Sequence, residues 1–211
     1  MRRDAACLNV SPMTKRHIIS SILALTGATV LAVPGAVRAD NVTPPAVPGN
    51  LTVQAGHKPF MEGHATGTQN YQCRASAGIH AWAFTGPIAT VATSHGTVEH
   101  MLSANPDEGG MARATWHSTR DGSTVWAKSI QPSDDPAFVE AGAIPWLLLE
   151  VVGRAGGTDG GDRLNQATYI HRVNTSGGKA PATGCDASTV GATQAVPYTA
   201  DYIFYKDATV D

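Results

Sequence analysis

Apolar and polar residues alternate along most of this chain in short runs broken by glycine, proline or Asp-Gly, and few segments carry the three-to-four spacing of an amphipathic helix. The runs QNYQCRA, IHAWAFTG, IATVATSHG, TVEHML, RATWHSTRDGSTVWAK, IPWLLLEVV, QATYIHRVN and AVPYTADYIFYK predict about eight strands. The clearest hairpin is TWHSTRDGSTVWA, where Asp121-Gly122 supplies the positive dihedrals of a tight turn. In QATYIHRVN, alternation puts Tyr169, His171 and Val173 on one face and Ile170 and Arg172 on the other. A short helix over 137–143, capped by Asp134-Asp135-Pro136, is a minor alternative. NVTPPAVPGNLTV holds too much proline for a helix and predicts an extended lead-in lying along the domain. The pattern as a whole predicts an all-β, single-domain antiparallel sandwich or barrel.

The first 39 residues follow a different pattern. Lys15 and Arg16 precede an apolar run from Ile18 to Val33, followed by Pro34-Gly35 and the small-residue stretch Val37-Arg38-Ala39, which reads as a secretory signal cleaved after Ala39. The run is shorter than the ~20 residues of a spanning helix. Residues 1–39 are therefore expected to be a leader, with Met13 as an alternative start, and residues 40–211 the domain, carrying no integral membrane segment after cleavage.

Removing the leader changes both charge and cysteine content. Of the 15 basic and 17 acidic residues, ten and sixteen remain, which argues against nucleic acid as a partner. Cys7 leaves with the leader, so Cys73 and Cys185 stand alone in an oxidising compartment and are expected to pair. Closing a loop of roughly 100 residues contributes about 4–5 kcal/mol in the chain-entropy view. Without a Cys-x-x-Cys or a third thiol, the pair reads as a staple.

Several motifs taken in order resemble one known family: GTQNYQC (67–73), WAFTGPIA (82–89), DGSTV (121–125), AIPWLLL (143–149), HRVNTSGGKAPATGC (171–185) and YTADYIFY (198–205). The chain is similar to the secreted bacterial and fungal proteins grouped as domain of unknown function 3455. The resemblance implies the compartment and the domain boundaries, and both cysteines fall inside matching motifs. It implies no activity, although some fungal members carry a malate dehydrogenase label. The segment SANPDEGGMARAT, between His100 and Trp116, departs from the family's pattern.

Candidate chemistry is thin. LLLEVVGRAGGTDGGD offers glycines after an apolar run, but the next segment alternates as a strand, so a dinucleotide turn leading into a helix is not expected; the glycines read as a hairpin loop. One copy of GGTDGGD is weak as a calcium-binding repeat. Seven histidines survive cleavage without His-x-His or HExxH spacing, so neither a metal nor another cofactor is expected. His100 shares its face with Val98 and Leu102 and is expected buried and hydrogen-bonded. No nucleophile elbow is present.

Among the tryptophans, Trp82 and Trp146 are expected in the core, whereas Trp116 and Trp126, flanking the polar hairpin, are expected to present at least one exposed ring to a ligand, with His171 and Arg172 as further ligand-binding candidates. Asn174 to Gly178 is expected to end its strand and aim Cys185 at Cys73, the alternative being an anion nest formed by the amides of Ser176 to Gly178 beside Arg172 and Lys179. The sequence thus reads as a secreted or periplasmic β-domain, a module that binds carbohydrate or a small molecule or associates with the envelope. A hydrolase using His171 with a carboxylate, a metal enzyme with histidines converging in the fold, and a structural or stress-related surface protein are the alternatives; dehydrogenase activity is not expected.

Overall fold

The computed structural model describes residues 42–158 and 160–210. The expected leader, residues 1–39, lies outside them. Eight strands follow one another: β1 (His57–Ser76), β2 (Ile79–Thr93), β3 (Gly96–Asn105), β4 (Met111–Ser118), β5 (Thr124–Ser133), β6 (Trp146–Ala155), β7 (Ala167–Gly177) and β8 (Thr193–Asp207). Each pairs with its sequence neighbour, and β1 pairs antiparallel with β8, so the sheet closes into a barrel. Of the two architectures left open by the pattern, closure is the one that leaves no sheet edge exposed.

Some elements differ from expectation. IHAWAFTG and IATVATSHG are one strand, β2, running through Gly86 and Pro87. β1 begins well before QNYQCRA, in the glycine-rich stretch from His57. There Gly67 is required, because a Cβ would lie 2.2 Å from the Ile88 carbonyl oxygen of β2. The helix considered over 137–143 is only a turn, in which the amides of Phe138 and Val139 both donate to the Asp135 carbonyl. The glycines after β6 form a loop into β7, a hairpin, as expected.

Side-chain alternation sorts the apolar residues into two cores separated by the barrel wall. The inner one holds Met61, Val91, Val98, Trp116, Val125, Val151, Leu164, Ile170 and Phe204 among others. The outer one packs Leu148, Val173, Ile203 and Tyr205 beneath two covering segments: the lead-in, which contributes Val42, Val47, Leu51 and Val53, and the β5–β6 connection, which contributes Phe138, Val139 and Ala143. The lead-in is thus a strap over β6, β7 and β8, ending in a 3₁₀ turn, Gly49–Leu51, that buries Leu51 completely.

Cys73 and Cys185 are bonded, with 5.3 Å between their Cα atoms. The preceding Asn-Thr-Ser-Gly-Gly segment is a correction to the sequence reading. β7 does not end at Asn174 but continues to Gly177, through an irregularity between Val173 and Ser176 where Asn174 takes a positive φ of 49°. The Asn174 side chain donates to Asp201 on β8 rather than to local backbone. Reversal begins only at Gly178, whose φ of +84° favours glycine and whose missing Cβ would lie 2.9 Å from Cβ of Tyr198. Gly177 likewise has a positive φ of 67°, and a Cβ there would lie 2.6 Å from the Pro197 carbonyl oxygen of β8.

Candidate functional site

The ladders do not run the full length of every strand. β2 pairs with β3 only from Ile88 opposite Met101 downward, leaving Ile79–Pro87 bonded to β1 alone and Leu102–Asn105 bonded to β4 alone. β4 pairs with β5 only over Ala114–His117. The β3–β4 hairpin is therefore free of both neighbours at its tip, and it folds back over the outside of β5 and β6. Asn105 donates to the Val152 carbonyl (3.3 Å), Asp107 accepts from the Arg154 amide (3.1 Å), and Trp126 donates from Nε1 to the Ser103 hydroxyl (2.8 Å). Drawing the hairpin outward opens the wall.

Behind that opening lies an interior cavity of about 220 Å³. Its apolar walls include Phe84, Pro87, Leu102, Ala114, Ala127, Leu147 and Leu149, and its polar lining is Gln69, His100, Trp116, Arg172 and Tyr202, with Arg113, Lys128 and Ser129 also bordering it. A larger cleft of about 800 Å³ runs outside, over β1–β3, and shares Pro87, His100 and Leu102 as common walls. The apolar rim is wet: Phe84 is 48% exposed, Ile88 69% and Leu102 38%.

The polar lining is tightly ordered. The imidazole of His100 stacks on Trp116 (centroids 4.4 Å apart, planes 16°) and meets Tyr202 edge-on at 5.0 Å. Its Nδ1 faces the Thr115 carbonyl at 2.9 Å. A carbonyl only accepts, so Nδ1 carries the proton and Nε2 the lone pair. Burial, helped by the nearby charge of Arg172 and opposed by the Thr115 bond, lowers the His100 pKa to about 3, so the ring is neutral in ordinary buffers. Tyr198 and Tyr202, whose hydroxyls are 3.4 Å apart, are both raised by burial and stay protonated. Arg172 reaches inward from β7 and donates from Nε (3.1 Å) and Nη2 (2.8 Å) to the Pro145 carbonyl.

Two of the four sequence-predicted ligand residues, Trp116 and Arg172, line this cavity, and the other two, Trp126 and His171, lie on the outside of the barrel. The expected exposed ring is not found: Trp116 is fully buried inside the barrel and Trp126 is 8% exposed beneath the folded-back hairpin. Trp82, expected in the core, is half-buried and donates to the Thr183 carbonyl, whereas Trp146 is buried in the outer core as expected. His171 is spent on the strap: its Nε2 lies 2.7 Å from the Leu51 carbonyl, which takes the ring's proton, leaving Nδ1 to accept from the Tyr205 hydroxyl at 3.1 Å. Burial lowers its pKa against the pull of the Leu51 bond. His100 is buried and hydrogen-bonded as its neighbours Val98 and Leu102 implied.

Gln69 and Tyr202 were not singled out from the sequence. The alternation of QNYQCRA places Gln69 on the face of Tyr71 and Cys73, and a lone amide on that face was the available signal. Outside the barrel, Glu62, His64 and Asp201 bring one ligand atom each within 4.8 Å of one another, a single histidine with two carboxylates rather than converging histidines. His64 Nδ1 lies 2.6 Å from Asp201, a contact that raises the histidine's pKa. Among the described residues no helix is long and apolar enough to cross a membrane.

The sequence profile of the family described as "Protein of unknown function (DUF3455)" matches residues 54–206, from the end of the strap to the end of β8. No curated protein and no solved structure matches the chain significantly.

Proposed function

Because the chain belongs to that family of unknown function, its activity has to be argued from the site, and we propose that it is a secreted or periplasmic binding module that takes a small molecule into the barrel. The observation that carries this reading is the breached wall: an apolar, exposed rim at Phe84, Ile88 and Leu102 leading to a cavity with apolar walls and a few convergent polar groups. Eight strands leave an interior that side chains either fill or share with one small ligand, and here the packed side chains leave room for the cavity. A glycan stacked on exposed tryptophans has no such support, since Trp116 and Trp126 are both buried. The Cys73–Cys185 bond fits an oxidising compartment.

Native mass spectrometry of the chain against a library of small amphipathic molecules tests the reading. Saturable one-to-one complexes are expected, and they should disappear in Ala114→Phe, which puts a ring into the half-buried mouth. Complexes that persist unchanged in that variant would place binding elsewhere and defeat the proposal.

A further inference from the structure

Two donors that line the cavity have no acceptor. Gln69 Nε2 and Trp116 Nε1 are buried donors with no hydrogen-bond partner. The Tyr198 hydroxyl is close enough to sense the Gln69 amide but does not meet it in hydrogen-bond geometry. Both residues are at least nine-tenths buried, and both line the same space. Unpartnered donors of this kind are uncommon in folded proteins and call for an explanation.

The charge around the cavity is equally one-sided. Three cationic side chains border it. Arg113 is clamped by Glu108, with Nε and Nη2 both 2.7 Å from its oxygens, and Lys128 lies 3.0 Å from Glu150. Arg172 has only the neutral Pro145 carbonyl and the hydroxyl of Tyr202 around it; among the described residues no carboxylate forms an ion pair with it. A guanidinium held inside a barrel without a counter-anion, beside two spare N–H donors, is the complement of a small anion with an apolar tail.

Resting on the reading of the barrel as a small-molecule binder, we infer that its ligands are organic monocarboxylates of the size of benzoate or hexanoate, with the carboxylate on Arg172, Gln69 and Trp116 and the tail against Leu102, Leu147 and Leu149. The volume sets the size of what the cavity encloses: about 220 Å³ holds roughly seven waters at their liquid share of about 30 Å³ each, room for a benzoate or hexanoate, whereas the tail of a longer acyl chain would have to leave through the mouth. The apolar walls argue against a bare inorganic anion.

Isothermal titration calorimetry with the whole chain, using benzoate, hexanoate, benzamide, benzylamine and inorganic phosphate as probes, separates the outcomes. Benzoate and hexanoate are expected to bind at least tenfold more tightly than benzamide, benzylamine or phosphate, and Arg172→Met should remove that preference. Gln69→Leu, which deletes an unpartnered donor and should fold, is expected to weaken benzoate at least threefold; this variant decides if Arg172→Met does not fold. Benzamide or benzylamine binding as well as benzoate would overturn the carboxylate assignment and leave the binding cavity standing. Phosphate binding as well as benzoate would overturn the requirement for a tail. If none of the five binds while other neutral molecules are bound in the library experiment, the carboxylate assignment alone falls; if nothing binds in either experiment, both readings fall.

Discussion

His100 shows how a single side chain sets a property of the fold. It is neutral inside the barrel, with its pKa lowered to about 3 mainly by burial, and His171 beneath the strap is lowered as well. The unfolded chain binds protons at both positions below a pH of about 6.5, while the folded one does not. Their contribution to stability is therefore complete above about 6.5 and is lost as the pH falls toward the folded value. Each histidine contributes at most about 1.4 kcal/mol per pH unit to that loss. His64 acts in the opposite sense, because Asp201 raises its pKa, but it is largely exposed and its effect is small. Glu108 and Asp121, each lowered to about 2, begin to add to acid unfolding as the pH falls below about 5, where the unfolded carboxylates start to protonate, so the interval from about pH 6.5 to 5.5 is left to the histidines. Urea unfolding of His100→Gln across that interval should show a distinctly shallower loss of stability than the parent. An unchanged slope would mean that His100 already takes up its proton in the folded state.

At the scale of elements, the strap is the test case, because it is neither strand nor helix and yet covers a core. Leu51 is fully buried, and its carbonyl holds His171. Leu51→Ala should cost about 2–5 kcal/mol in denaturant unfolding, the range for truncating a buried leucine. A loss below about 1 kcal/mol would show that the strap does not share the fold's cooperativity. The strap also explains what the sequence could convey about β7. Alternation separated Tyr169, His171 and Val173 from Ile170 and Arg172 correctly, but it could not say which face looked into the barrel, since both faces carry apolar residues and both are covered. The same limit misplaced Trp126. Its polar surroundings in sequence suggested exposure, and only the hairpin folded back from β3 and β4 buries it. β1 was legible from Gln69 onward, where β-formers begin; before that, Gly63 and Gly67 weaken the local preference and serve close packing against β2.

For the whole molecule, strand number, antiparallel order and the cysteine pair could be read in advance, because alternation and compartment depend on local composition. The cavity could not, since it arises from where the β2–β3 and β4–β5 ladders stop. The Cys73–Cys185 bond spans 112 positions and ties β1 to the segment leading into β8. Reducing it is expected to lower stability by about 2–5 kcal/mol, measured by thermal unfolding with and without dithiothreitol on protein beginning at residue 40; an unchanged midpoint would show that the link does not constrain the unfolded chain. The pairing of β1 with β8 has a consequence for how the chain is made. Every other strand finds its partner as soon as the next hairpin emerges, but β1, the first synthesised, keeps one edge open until β8, the last, arrives. During that interval the nascent sheet is an unclosed ribbon with two adhesive edges, and a sulfur bridge made once Cys185 is out would draw them together just before the final strand docks.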